Sequence, residues 1–445
     1  MVKMFPYNVT FLRNLESNSN TKYSGSYLKS PRWNTNNAKN TDYHGFTFSQ
    51  ITEYQSNLLN MKRANTILVI ILLVVVAGCK GNEQSTDGFI TVDVSKSYPK
   101  KELILQNFMD VEYITLETTN EFLTQGLVQA VGKEYLLVVN RANDGNIFIF
   151  DRKTGKGLRT INRQGQGPEE YVRANGIILD EANGEMFVRS ANKILVYDLY
   201  GKFKRCLNFN QEYTNIFDYN KDNLIGYDMS DYYKKGLDRG KAYHVIISKL
   251  DGSIIREILI PFKMINTPIV IKEEGTIANY FPLIRPTNHD KWILVETSSD
   301  TLYNYAPDGT LSPFIVRTPS TNAMEPEVFL TMGILTDRYY FMEAFKNEFN
   351  FEKGSGFYSD RLMYDKEENA LFQFSVYNDD YSEKRTVGMT SRPINQEIEA
   401  SIVLEAHRLV ENYEKGELKD GKLKEIAAKL DAEDNPVIML VKHKK

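Results

Sequence analysis

A hairpin recurs along the chain: an apolar strand, a turn with aspartate, and a second strand. The turn aspartates are separated by 47, 53, 57 and 57 residues. Aspartate suits such turns because it hydrogen-bonds to the local backbone, and the glycine that the turns usually contain accepts positive φ. A further strand-like run precedes each hairpin, and units of about 45–60 residues with three or four strands are typical of β-propeller blades. The turn aspartates are Asp151, Asp198, Asp251, Asp308 and Asp365.

Closure of the ring requires a blade beyond the five that can be counted. Many strands are apolar on both faces, as in Ile147–Phe150, which suits blades packed between two neighbours. The strands left over lie at the two ends, at 89–94, 111–116 and 437–441. Pairing early with late strands would complete a sixth blade and leave no free edge. The sequence therefore predicts an all-β fold, a six-bladed β-propeller that a terminal strand closes.

A change of periodicity precedes the last strand. Apolar residues there recur with a spacing near 3.6, which is typical of amphipathic helices. The two apolar stripes are Ile398, Ile402, Leu409 and Val410, and Leu423, Ile426, Ala427 and Leu430. We predict a helical segment over residues 395–431 that caps one side of the ring; a helix that binds a partner is the alternative.

An export signal precedes the repeats. Lys62 and Arg63 follow Met61, and an apolar run over 67–77 ends at Gly78 and Cys79. At about 1.5 Å per residue the run is roughly 17 Å long, too short for a bilayer core of about 30 Å. Its length is that of a signal-peptide core. The sequence Val-Ala-Gly-Cys at its end resembles a lipobox, so we predict that residues 61–78 are a signal peptide and that Cys79 is the lipidated first residue.

The remaining boundaries follow from this signal. Residues 1–60 are polar and precede an otherwise complete signal, so we interpret Met61 as the true initiator; a disordered extension is the alternative. Residues 79–88 form a polar tether, and residues 89–445 form the propeller. The residue after Cys79 is Lys80, not the aspartate that retains lipoproteins at the inner membrane. We expect a cell-envelope protein anchored in the outer membrane through its N-terminal lipid.

Composition and motifs exclude several classes of function. A net charge of −4 with interspersed signs gives no basic face, so we expect no nucleic-acid partner. The histidines of the mature chain have no metal-ligand spacing, and the run Asp218–Asp222 lacks the glycine and glutamate of an EF-hand. Cys206 is the only cysteine left after removal of the signal, so no internal disulfide is predicted. We expect no cofactor, no metal site and no catalytic residue.

Two stretches are more specific than the repeat. They are Ile161–Tyr171, which reads Ile-Asn-Arg-Gln-Gly-Gln-Gly-Pro-Glu-Glu-Tyr, and Asp434–Val441. Together with Val111–Thr118 and the lipobox, they resemble a largely uncharacterised family of six-bladed β-propeller lipoproteins from Gram-negative bacteria of the gut type. The resemblance covers residues 79–445 and implies the same six blades, but it implies no reaction.

The first of these stretches is a crossover between two blades. Its glycines allow tight turns, Pro168 stiffens the exit, and Tyr171 is expected to pack in the next blade. This structural role is the favoured interpretation. Its polar side chains are nevertheless our candidate ligand contacts, because they can point into the central channel. The candidates are Arg163, Gln166, Glu170 and Arg173.

Two hypotheses for function remain. The lipid anchor, the repeat fold and the missing catalytic set favour a binding or scaffold module for a glycan, a peptide or a protein partner. The alternative is a calcium-dependent six-bladed propeller hydrolase or lactonase. That enzyme needs several Asp, Asn and Glu side chains converging on the ring axis, whereas an apolar or arginine-lined channel would contradict it.

Overall fold

A computed structural model describes residues 88–444, apart from residues 143, 191, 210–212, 237–242, 273–274, 282–283 and 288 and the side chains of Asn175 and Ser355. The signal peptide, Cys79 and the tether as far as residue 87 lie outside the described residues. In this part of the chain, none of the helices has the length and apolar content of a membrane span.

The described chain begins with three strands that join three different sheets. They are β1 (Ile90–Asp93), β2 (Lys100–Ile104) and β3 (Met109–Thr115), with a 3₁₀ turn at Leu105–Asn107. β1 lies parallel to the outer strand of the fourth blade, and β2 lies parallel to the outer strand of the fifth. We call residues 90–115 the strap.

The first three blades are four-stranded antiparallel sheets in which each strand pairs with the next along the chain. Blade 1 holds β4 (Leu127–Val131), β5 (Tyr135–Val139), β6 (Asn146–Asp151) and β7 (Gly157–Asn162). Blade 2 holds β8 (Asn175–Asp180), β9 (Glu185–Ser190), β10 (Lys193–Asp198) and β11 (Phe203–Asn208). Blade 3 holds β12 (Tyr213–Asp218), β13 (Asn223–Asp228), β14 (His244–Ser248) and β15 (Ile254–Ile258).

Blades 4 and 5 follow the same plan, with short hairpins inserted around them. The hairpin before blade 4 is β16 (Ile269–Ile271) and β17 (Ile277–Asn279). Blade 4 holds β18 (Arg285–Pro286), β19 (Trp292–Leu294), β20 (Thr301–Tyr305) and β21 (Leu311–Thr318), and a 3₁₀ turn follows at Thr321–Ala323. Blade 5 holds β22 (Val328–Leu335), β23 (Tyr339–Lys346), β26 (Ser359–Asp365), β27 (Ala370–Asn378) and β28 (Arg385–Thr386), with β24 (Phe349–Asn350) and β25 (Ser355–Gly356) forming a hairpin between β23 and β26.

Blade 6 joins the two ends of the propeller. It holds β29 (Ile398–Leu404), β30 (Val437–His443) and the strap strand β3, with β30 in the middle. β3 and β30 are antiparallel over their whole length, from Met109 opposite His443 to Thr115 opposite Val437. The predicted pairing of early and late strands is therefore confirmed for residues 111–115 and 437–441. Residues 89–94, predicted to join the same blade, instead extend blade 4.

The helical prediction is correct only in its second part. The helices are α1 (Ala406–Glu414) and α2 (Lys422–Ala427), whereas Ile398–Leu404 forms β29. Ile398 and Ile402 lie four residues apart, a spacing that places two side chains on one side of a helix and equally on one side of a strand. The apolar stripe alone therefore does not distinguish a helix from a strand at Ile398 and Ile402.

The core consists of layers between neighbouring blades. In β6, Ile147 and Ile149 pack against blade 2, while Phe148 and Phe150 pack against blade 6. All four side chains are buried. The prediction of blades that are apolar on both faces is confirmed, because a blade inside a ring has no solvent-exposed face along most of its inner strands.

The turn aspartates act as the sequence predicts. The Asp151 carboxylate accepts the backbone N–H of Thr154 at 2.8 Å, and the Asp198 carboxylate accepts those of Tyr200 and Lys202 at 2.9 Å. Gly155 has a φ of +68°, and a Cβ there would lie 1.9 Å from the Thr115 carbonyl oxygen. Glycine is therefore required twice at this turn, by its backbone conformation and by the approach of the strap.

Candidate functional site

Tyr171 anchors the crossover Ile161–Tyr171 to blades 1 and 2. The Tyr171 side chain is fully buried, meets Tyr197 of blade 2 edge to face at 6.0 Å, and donates its hydroxyl to the Gly145 carbonyl at 2.7 Å. The expected packing of Tyr171 in the next blade is thus observed. Burial raises the pKa of this phenol to about 12, which keeps it a hydrogen-bond donor at neutral pH.

The four candidate ligand residues on this loop have different surroundings. Arg163 donates from Nε to the Gly201 carbonyl at 2.9 Å, and Glu170 accepts the Gly167 N–H at 2.8 Å. These two side chains therefore contribute to the shape of the loop. Gln166 and Arg173 are exposed. The loop remains a predicted ligand contact.

An irregular segment between β28 and β29, residues 387–397, lies against the inner strands of four blades. We call it the channel segment. The inner strands of blades 1, 2 and 3 contact one another in turn, and β29 contacts β4, so these strands surround the axis. The segment's contacts with the inner strands are Ile334 N–H to Met389 O (2.7 Å), Arg285 to Ser391 O, Arg392 to Ile216 O (3.2 Å) and Asn395 to Val131 O (2.9 Å).

A buried ion pair fixes the start of blade 6 against blade 4. Arg285 and Glu399 are at most 1% exposed, and Arg285 Nη1 donates to Glu399 Oε2 at 2.8 Å. Arg285 also donates from Nε to the Met332 carbonyl at 2.9 Å, which joins blade 5 to the pair. Burial lowers the pKa of Arg285, and the charge of Glu399 opposes this effect. The guanidinium therefore stays charged because its carboxylate partner is present.

The second oxygen of this carboxylate is also occupied. Glu399 Oε1 lies 3.1 Å from Nε2 of His443, at the end of β30. His443 lines a cleft on the surface. A chain of three side chains therefore connects the cleft, through Glu399, to Arg285 and the channel segment.

The cleft has a volume of about 550 Å³ and lies between the strap, blade 5 and the C-terminus. Its volume is within the usual range of small-ligand sites, about 300–1,000 Å³. Phe108 and Tyr339 lie side by side in its lining, with ring centroids 5.3 Å apart in an edge-to-face arrangement. The lining residues are Glu102, Leu103, Ile104, Asn107, Phe108, Thr336, Asp337, Arg338, Tyr339, Glu367, His443 and Lys444.

Charged side chains hold one wall of the cleft in place. Arg338 donates to both oxygens of Asp365, at 3.0 and 2.9 Å, and its guanidinium lies 5.0 Å from the Tyr339 ring centroid. Lys101 of the strap reaches the same carboxylate at 2.7 Å. Burial alone would raise the pKa of Asp365, but Arg338 and Lys101 more than offset it and lower this pKa to about 2. Strap and blade 5 are thus linked by a carboxylate that is ionised at neutral pH.

Sequence reasoning missed this cleft. Its residues come from 102–108, 336–339, 367 and 443–444, and only the pairing of the strap with β27 and β30 brings them together. Glu399 fell within the predicted helix, and His443 reads as part of a charged tail. No local motif marks any of them, so the sequence carried no signal for the site.

The described residues do not assemble a metal centre: no group of three or more His, Cys, Asp or Glu side chains in them is arranged to hold an ion. Asp218, from the calcium-like run, pairs with Lys249 at 2.8 Å, and Lys249 also pairs with Asp180 at 2.7 Å. Cys206 is half-buried in β11, and burial raises the pKa of its thiol.

Comparison with known proteins identifies the family of the chain. The DUF5128 family, described as a 6-bladed beta-propeller, matches residues 80–399. The chain belongs to this family. None of the curated proteins matches the chain.

Solved structures are similar to the chain to different degrees. A protein of Bacteroides fragilis NCTC 9343, described as exported, superposes with a TM-score of 0.54 at 17% identity and covers 80% of this chain and 100% of its own. Virginiamycin B lyase of Staphylococcus aureus superposes with a TM-score of 0.32 at 13% identity and covers 76% of this chain and 100% of its own. BamB of Moraxella catarrhalis superposes with a TM-score of 0.35 at 7% identity and covers 75% of this chain and 99% of its own. At 17% identity the likeness to the Bacteroides fragilis protein concerns the fold alone.

Proposed function

We propose that this family member is a binding or scaffold module of the cell envelope, and that it captures a glycan, a peptide or a protein partner in the cleft between the strap, blade 5 and the C-terminus. The observation that carries the proposal is the cleft itself. It combines neighbouring aromatic rings with side chains of both charges. Aromatic rings and fixed hydrogen-bonding groups are what polar ligands need for oriented binding.

The calcium-dependent hydrolase is the weaker candidate, because arginine side chains lie at the channel. The channel segment carries Arg392, and Arg285 lies beside it from blade 4. Glu399 has both oxygens engaged by Arg285 and His443, and Glu397 at the end of the segment lies 3.9 Å from Arg152. Carboxylates that are already paired with cations are poor ligands for calcium, and the charge of Arg392 opposes a divalent cation nearby.

The lipid anchor is the second part of the proposal. Cys79 ends the lipobox-like sequence, and the family match begins at residue 80, directly after it. Each buried methylene of an acyl chain contributes about 0.8 kcal/mol to membrane binding, so two or three chains hold a protein firmly. Outer-membrane attachment is part of the proposal because Lys80 follows the cysteine.

We expect Cys79→Ser to leave a folded protein that is uncleaved or released from the membrane, since serine cannot take the diacylglycerol. Membrane fractionation and mass spectrometry of the N-terminus measure this. Cys206→Ser is the matched control, because it removes the other cysteine and should leave anchoring unchanged. Processing and membrane retention of the Cys79→Ser variant as in the wild type would refute the anchor.

We expect the cleft to account for ligand binding in a soluble form that starts at Lys80. A thermal-shift screen against polysaccharides and peptides should return ligands that raise the Tm by about 2–4 °C. Asn107 is exposed and lines the cleft, so Asn107→Trp should fill part of it. This variant should keep the wild-type Tm without ligand and lose the ligand-dependent rise.

The matched control places the same side chain elsewhere. Lys153 is exposed in the turn between β6 and β7 and does not line the cleft, so Lys153→Trp should respond to ligand as the wild type does. An equal response of Asn107→Trp would move the binding site out of the cleft. A flat screen, followed by a pull-down from envelope extracts that recovers no partner, would contradict the binding function.

A further inference from the structure

Arg392 brings a positive charge into the central channel. It belongs to the channel segment, donates from Nη2 to the Ile216 carbonyl of β12 at 3.2 Å, and its guanidinium lies 4.6 Å from the centroid of the buried Phe217 ring. The side chain is half-buried, so that part of it still faces solvent. Arg392 therefore lies against the inner strand of blade 3, one of the strands around the axis.

The fully buried cations of the described chain, unlike Arg392, each have a carboxylate partner. Arg285 faces Glu399 at 2.8 Å, Lys249 faces Asp180 at 2.7 Å, and Arg317 faces Asp300 at 3.3 Å. Within the described residues, no carboxylate forms an ion pair with Arg392. A cation that loses part of its hydration ordinarily gains a partner of opposite charge, because that loss is costly.

The surroundings of Arg392 also disfavour its positive charge. Burial, and then the positive charge of Arg189 in β9, lower the pKa of Arg392 to about 10. The group nevertheless remains charged at neutral pH, because this value lies well above 7. A guanidinium has five N–H donors, and the Ile216 carbonyl accepts from one of them. The remaining donors form a planar fork that matches the oxygens of a carboxylate, a sulfate or a phosphate.

We propose that Arg392 is the centre of an anion site in the channel, separate from the cleft, that binds an oxyanion group of a ligand: a carboxylate, a sulfate or a phosphate. The anion supplies the counter-charge that the described part of the chain does not. Ile216 and Phe217 of β12 hold the guanidinium in position. The propeller then has two sites, one in the cleft and one on its axis.

The test measures the Tm of the soluble form that starts at Lys80 in the presence of glucuronate, sulfate or phosphate. Glucose and chloride at the same ionic strength are the reference solutes. We expect at least one oxyanion to raise the Tm of the wild type by about 1–3 °C. A response to glucuronate alone would assign a carboxylate ligand, and a response to sulfate or phosphate a tetrahedral one. Titration calorimetry should give one site per chain.

Variants separate this site from general salt effects and from the cleft. Arg392→Gln should lose the response and, without anion, unfold at the wild-type Tm or above, because it removes an uncompensated charge. Arg361→Gln removes an exposed arginine of β26 and should respond as the wild type does, as should Asn107→Trp. The proposal is overturned if no oxyanion acts on the wild type, if Arg392→Gln responds equally, or if that variant unfolds several degrees below the wild type.

Discussion

Deletion of residues 437–445 is expected to leave the chain without a cooperative unfolding transition. This deletion removes β30, the middle strand of blade 6, and with it the partner of both β3 and β29. Val437–Val441 are all at most 1% exposed. Full burial of one such side chain contributes about 1.5–3 kcal/mol, and the net stability of a domain is about 5–15 kcal/mol. The loss of five such side chains is therefore comparable with the whole net stability of a domain.

Circular dichroism during thermal and urea unfolding measures this effect. Deletion of residues 444–445 alone is the control, since it shortens the same terminus while β30 keeps its pairs. That shorter deletion should unfold cooperatively, near the wild-type midpoint. A native-like transition in the longer deletion would mean that the ring does not depend on closure between its two ends.

Glu399→Gln is expected to destabilise the protein by about 3–5 kcal/mol, because it leaves the charge of Arg285 buried without its counter-charge. The pair lies where blades 4, 5 and 6 meet at the channel, and both side chains are at most 1% exposed. The substitution keeps the size of the side chain, so the loss is electrostatic rather than a packing defect. The change in the free energy of unfolding, from urea titration, gives the magnitude.

Two further variants test the reason for this loss. The double variant Arg285→Met with Glu399→Met removes both charges and should recover most of the stability, since apolar side chains can replace a buried pair at little cost. Glu397→Gln, with a side chain that is 45% exposed, should change stability by about 0.5 kcal/mol or less. If the double variant is as unstable as Glu399→Gln, packing or the His443 contact, rather than the unpaired charge, explains the loss.

Much of the fold could be predicted from the sequence because the repeat is local. Each hairpin shows an aspartate turn, and each inner strand is apolar on both faces, so that the units can be counted without tertiary information. Closure between residues 111–116 and 437–441 followed from the need to leave no free edge. The position of Ile90–Asp93 could not be predicted, because a parallel strand at an outer edge leaves no pattern that distinguishes blade 4 from blade 6.

The candidate site could not be predicted for a related reason. The cleft, the Arg285–Glu399 pair and the surroundings of Arg392 each combine residues more than a hundred positions apart. Their chemistry arises from packing between blades, and no spacing along the chain records it. The visible motif, Ile161–Tyr171, is local and largely structural, with Tyr171 buried between blades 1 and 2.

The binding role at the cleft is tested most directly by hydrogen–deuterium exchange of the soluble form with and without a ligand from the screen. We expect slower exchange in residues 102–108 and 336–339, which contribute to the lining of the cleft, and no such change in Asn107→Trp. Slower exchange confined to residues 163–173, or no change in the cleft at saturating ligand, would contradict it.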